Sequence, residues 1–113
     1  MTTPLHTLAY ALNPRFYHDD ILSIPGKKAP NKDKEVFDGY KKAFRKLYQD
    51  AKVACDVRME FSEFAFSQNS YGDIDALIDK KLMPSVSWWN YHGNSAKHLQ
   101  TLAVRILSQV ASS

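Results

Sequence analysis

The sequence predicts an all-α protein of about five to six helices, and three observations carry that reading. Apolar residues recur at helical spacing in several separate segments. No run alternates apolar and polar residues at period two around a hairpin turn. Acidic residues gather at the starts of the helical segments and basic residues at their ends, the arrangement that the helix dipole favours. The clearest stripe closes the chain: Leu99, Leu102, Ala103, Ile106, Leu107 and Val110 lie on one helical face.

Taken in order, Thr3 and Pro4 read as a cap and a first-turn proline. Leu5, Leu8, Ala9 and Leu12 then share a face, and Asn13-Pro14 ends the helix. Residues 15–31 read as a loop anchored by Phe16 and Tyr17, with turn signals at Pro25-Gly26 and Pro30. A second helix is expected over 32–48, capped by Asn31, with Asp33 and Glu35 in its first turn and Lys42, Arg45 and Lys46 near its end. Its stripe is Val36, Phe37, Tyr40, Phe44, Leu47 and Tyr48, and Gly39 weakens it by about 1 kcal/mol relative to alanine.

A third helix, 53–67, carries Val53, Val57, Phe61, Phe64 and Ala65 on one side. A fourth, 70–81, presents Ile74, Leu77 and Ile78, with Asp73 and Asp75 at its start and Lys80 and Lys81 at its end. Pro84 opens a short helix bearing Trp88 and Trp89. Gly93 follows it as a residue suited to a left-handed backbone, and Asn94 or Ser95 is positioned to cap the last helix. The whole reads as one domain: lead-in helix and loop in 1–31, a helical segment in 32–82, and the tryptophan helix with the terminal stripe in 84–113.

At 113 residues the chain is one domain at most, and its 44% apolar and 24% charged content is ordinary for a globular protein. A net charge of +3 permits contact with nucleic acid without requiring it. The single cysteine, Cys55, allows no intrachain disulfide, and no apolar run reaches membrane-spanning length. The amino-terminal segment lacks a basic region and is broken by Pro4 and His6, so it does not read as a signal peptide. A reducing, cytosolic or nuclear home is expected.

Candidate chemistry is sparse. His18, Asp19 and Asp20 offer a nitrogen and carboxylates, but adjacent residues diverge on any regular backbone and no second cluster has ligand spacing. Cys55 has no local activation signature and reads as buried or inert. Lysines and arginine at Lys27, Lys28, Lys41, Lys42, Arg45 and Lys46 form a basic segment able to track phosphates, although Asp33, Glu35 and Asp38 interrupt it. Trp88 and Trp89 suit packing better than base stacking. Neighbouring helical positions diverge by about 100°, so one tryptophan is expected to face a second layer or a partner. Neither a metal nor a cofactor is expected.

The order Pro84, Trp88-Trp89, Gly93, Leu99-Gln100, Leu102 through Ser108 and Ala111-Ser112-Ser113 resembles the carboxyl-terminal region of hAT-type transposases. It is nearest to the plant proteins of that type with an amino-terminal BED zinc finger. Pro4-Leu5-His6, Leu12 through Tyr17, and Asp33 through Val36 with Gly39 match the family's lead-in. Ser87, Met83 and His92 depart from it, standing where the family commonly has glutamate, serine and tyrosine. The resemblance implies the helical carboxyl-terminal part of an RNase H-like core, with the start of its dimerisation region, and a nuclear location. The family's catalytic carboxylates have no counterparts between Met1 and Ser113, and the BED finger has none either, so no enzymatic activity is expected.

Two functions follow as expectations. One is a protein-interaction module, a homodimer or a pair with a related transposase-like chain, joined through Trp88, Trp89, Leu99, Leu102, Ala103, Ile106, Leu107 and Val110. The other is a nucleic-acid-associated remnant that touches DNA phosphates through the basic face of residues 27–46.

Overall fold

A computed structural model of the chain describes residues 4–18, 25, 26 and 28–112. Six α-helices succeed one another: α1 (Pro4–Leu12), α2 (Lys34–Leu47), α3 (Ala51–Ala65), α4 (Ile74–Leu82), α5 (Ser85–His92) and α6 (Lys97–Ser112). Short 3-10 turns lie at Pro14–Tyr17, Pro30–Lys32 and Asn69–Gly72. No strand occurs among the described residues, so the all-α class holds. Thr3, Asp19, Asp20, Lys27, Ser113 and the side chain of Asn31 lie outside them.

Aspartates start α2 and α3. Asp33 Oδ1 accepts from the amides of Glu35 and Val36, and Asp50 Oδ1 accepts from those of Lys52 and Val53. Each satisfies amide groups that have no partner inside the helix. The cap of α2 is thus Asp33, not Asn31, whose backbone belongs to the preceding 3-10 turn. Asn13 accepts from the Arg15 amide and opens the 3-10 turn after α1.

α3 ends at Ala65, short of the expected Ser67. Ser67 takes a left-handed φ of 52°, and its amide donates to the Phe64 carbonyl while the Gln68 amide reaches back to Glu63. This is the double bond pattern that terminates helices, here with serine where glycine is usual. No glycine marked the position, which is why periodicity carried the helix too far.

α1 packs between α2 and α6, α5 packs on α6 and α4, and α3 closes against α6. Gly39 lets α1 approach α2: a Cβ there would stand 2.8 Å from Thr7 Cγ2. The position that costs helix propensity therefore admits a neighbouring helix. The buried side chains form one cluster running from Leu8 and Leu12 through Tyr40, Phe61 and Phe64 to the terminal stripe. The Cα radius of gyration, 13.2 Å, matches the roughly 13 Å of a compact chain of this length.

Three expectations about faces change. On α4, Ile74, Leu77, Ile78 and Leu82 point outward, while Ala76 and Lys80 are buried. The small Ala76 admits Trp88, whose Nε1 donates to the Ala76 carbonyl at 3.0 Å, and Lys80 Nζ reaches Ser67 Oγ at 2.8 Å. On α2, Phe37 and Leu47 are exposed. Cys55 is exposed rather than buried. Gly93 has φ −90°, so it is not left-handed. It is required for space, because a Cβ would lie 2.5 Å from the Trp89 carbonyl oxygen and 2.6 Å from its ring.

Candidate functional site

The terminal stripe and the tryptophan pair are core. Trp88, Trp89, Leu99 and Ala103 are fully buried, and Leu102, Ile106 and Leu107 nearly so; Val110 is half-buried against the same cluster. Both tryptophans are covered because α5 lies inside two layers of the chain. Trp88 stacks on Tyr71 with centroids 5.9 Å apart, and Trp89 meets Phe64 at 4.7 Å. Trp89 Nε1 donates to the Leu12 carbonyl at 2.6 Å and the Tyr17 hydroxyl donates to that of Ala11. Both carbonyls end α1 and lack intrahelical partners, so the aromatic donors finish that helix from a distance. The second layer that Trp88 and Trp89 require is supplied by this chain, and in this fold these eight residues present little surface to a partner.

The amino terminus of α6 is likewise finished from afar. Asn94 is turned away from it, with Nδ2 toward the Tyr91 carbonyl and Oδ1 toward Gln100. Glu60 of α3 accepts from the Leu99 amide at 3.0 Å and meets His98 Nδ1 at 2.9 Å. A carboxylate at this end also favours the helix dipole.

An open apolar groove lies between α2 and α3. Phe37, Tyr40 and Phe44 occur at i, i+3 and i+7 on α2, and Phe61 and Ala65 at i and i+4 on α3, with Phe66 just beyond. Together they line a groove of about 480 Å³. Tyr40, Phe44 and Phe61 form its floor, the Tyr40 ring lying 4.6 Å from Phe61 and Phe44 5.7 Å from Phe61. Phe37 and Phe66 are its exposed walls. Burial pushes the Tyr40 phenol up to about 12.

Lys41, Arg45 and Arg58 also line the groove with Ser62, and among the described residues no carboxylate does so. Lys41 Nζ sits 4.7 Å from the Phe37 ring centroid, which fixes one cation against an aromatic wall. Two of the six basic candidates, Lys41 and Arg45, therefore belong to the groove. Lys28, Lys42 and Lys46 are exposed elsewhere, and Lys27 lies outside the described residues. The spacing of Phe37, Tyr40 and Phe44 was legible in the sequence, but it read as core. Nothing local says that α3 leaves one edge of that stripe uncovered.

Among the described residues, no three His, Cys, Asp or Glu side chains converge on a metal-sized site. No helix among them is long and apolar enough to cross a membrane. No protein-family model, curated protein or solved structure matches the chain.

Proposed function

We propose that this chain is a non-catalytic protein-interaction module whose receptive surface is the α2–α3 groove. The single observation that carries the reading is an aromatic cleft walled by two exposed phenylalanines and edged by Lys41, Arg45 and Arg58. Such a cleft suits a helix that presents bulky apolar side chains beside acidic ones, the helix-in-groove mode of recognition. The resemblance of Trp88-Trp89 and the final helix to the dimerisation region of hAT-type transposases supports the same class of function, with a nuclear location. The resemblance would put the contact on that segment, whereas the groove reading puts it on a different face, because the terminal stripe is core.

The test is titration with a synthetic amphipathic helical peptide of acidic flank, alongside a basic counterpart of equal apolar face. The acidic peptide binds the wild-type chain, and Phe37→Gln with Phe66→Gln weakens it roughly tenfold or more, a loss of about 1.4 kcal/mol. Equal binding by both peptides to both proteins, or no binding at all, defeats the reading.

Contact with DNA phosphates through Lys42, Arg45 and Lys46 is the second reading, supported by their exposure on the last turns of α2. It requires duplex affinity that falls steeply with salt and ignores sequence. Affinity unchanged by Lys42→Glu with Lys46→Glu would remove it.

A further inference from the structure

The chain carries, on another face, a helix of the kind its own groove suits. α4 turns Ile74, Leu77, Ile78 and Leu82 outward, with exposures of 72, 39, 49 and 68%. These positions follow i, i+3, i+4 and i+8, one continuous apolar strip. Asp73 and Asp75 are exposed at its amino-terminal end. α4 is held by α5 and by the 3-10 turns Pro14–Tyr17 and Asn69–Gly72, and the strip stays exposed among the described residues.

We infer that the α4 strip of one copy of this chain seats in the α2–α3 groove of a second copy. The inference rests on the groove being an interaction surface, and three matches support it. The first is length. Ile74 and Leu82 are eight residues apart, as are Phe37 and Arg45, so strip and groove wall each span about 12 Å at 1.5 Å per residue. The second is charge at one end: Asp73 and Asp75 meet Arg45 and Arg58, in a groove lined by cations and, among the described residues, by no carboxylate. The third is polarity along the helix. Lys81 lies within the strip near its carboxyl end, and Asp38 is exposed beside Phe37 at the opposite end of α2. An α4 placed with its aspartates toward Arg45 thus brings Lys81 toward Asp38.

Strip and groove are different surfaces, so the contact closes as a two-fold dimer where each copy seats its strip in the groove of the other at once. Where a copy is left with one free groove and one free strip, the contact is heterologous and association continues to a ring if the rotation closes and to open chains if it does not.

The experiment uses sedimentation equilibrium on the full chain and on two double variants. The groove variant is Phe37→Gln with Phe66→Gln, and the strip variant is Ile74→Gln with Ile78→Gln. All four positions are exposed and no charge is introduced, so the variants acquire no new attraction for one another, and circular dichroism checks that each remains helical. The wild type is expected to associate with concentration, to a closed dimer or beyond it, and to do so less in high salt as the end charges are screened. Each variant alone is expected to be a monomer. An equimolar mixture is expected to give a heterodimer that stops there, since it contains one intact groove and one intact strip.

A monomeric wild type overturns the inference, as does a variant that still associates alone or a mixture that stays monomeric. Acidic-peptide binding by a monomeric wild type would then show that the groove is receptive and takes a different partner. Loss of peptide binding as well would remove the underlying reading.

Discussion

Gly93 shows how little room the tryptophan helix has. The Cβ of an alanine would meet a backbone oxygen and an indole at contact distances that side chains do not reach. Gly93→Ala is expected to destabilise the chain by about 1–3 kcal/mol, as overpacking does, in urea denaturation. Trp89→Phe keeps the ring contacts with Phe64 but leaves the Leu12 carbonyl without its donor. An unmade buried hydrogen bond costs about 1–3 kcal/mol, and faster amide exchange across α1 than in the rest of the core is the expected signature. Residue identity announced the aromatic bulk of Trp88 and Trp89 but not the two carbonyls that their ring nitrogens meet, which lie 12 and 77 positions away.

Among the elements, α6 depends most on something outside itself. Its first turn is satisfied by Glu60, 39 positions earlier than the Leu99 amide it accepts from. Glu60→Ala is expected to lower stability by about 1–2 kcal/mol, as loss of a cap does, with fraying at 97–100 measured by amide exchange. Asp50→Ala, which removes a local cap from α3, is expected to cost about 1 kcal/mol in the same assay. The local cap of α2 was expected at Asn31, two positions before Asp33, and none was named for α3, where Asp50 supplies it. A cap delivered by another helix has no local signal. α4 teaches a related lesson, since its apolar residues share a face and that face is the uncovered one. Covering Ala76 lets Trp88 close on the helix, and the larger side chains are left outside.

For the whole molecule, the terminal stripe is the keel of a single folded chain. Leu102→Glu with Ile106→Glu places charges in the core and is expected to unfold the protein by circular dichroism, instead of merely separating copies. Tyr17, Tyr40, Tyr48 and Tyr71 all have phenols raised above 10, with burial the leading cause. The folded state therefore holds protons that the unfolded state releases. The stability these groups contribute is fully present below pH 10 and declines as pH rises towards the folded values, about 12 for Tyr40. A denaturation midpoint that falls between pH 10 and 12, together with delayed phenolate absorbance in the native protein, is the expected result.

By itself the sequence determined the helical class, the approximate helices, and the one-sided stripe of α6. These follow from spacing and from interactions within a few residues, which a linear reading contains. Tertiary structure decided what covers each stripe. The α6 stripe is closed by α1, α3 and α5, the tryptophan pair is enclosed on both sides, the α4 strip is left bare, and α2 and α3 leave an aromatic groove between them. Amphipathic spacing specifies that a face is apolar. Whether a neighbour hides it depends on how closely distant helices approach, and here that turns on small groups at Gly39, Ala76 and Gly93 and on hydrogen bonds between residues far apart in the chain.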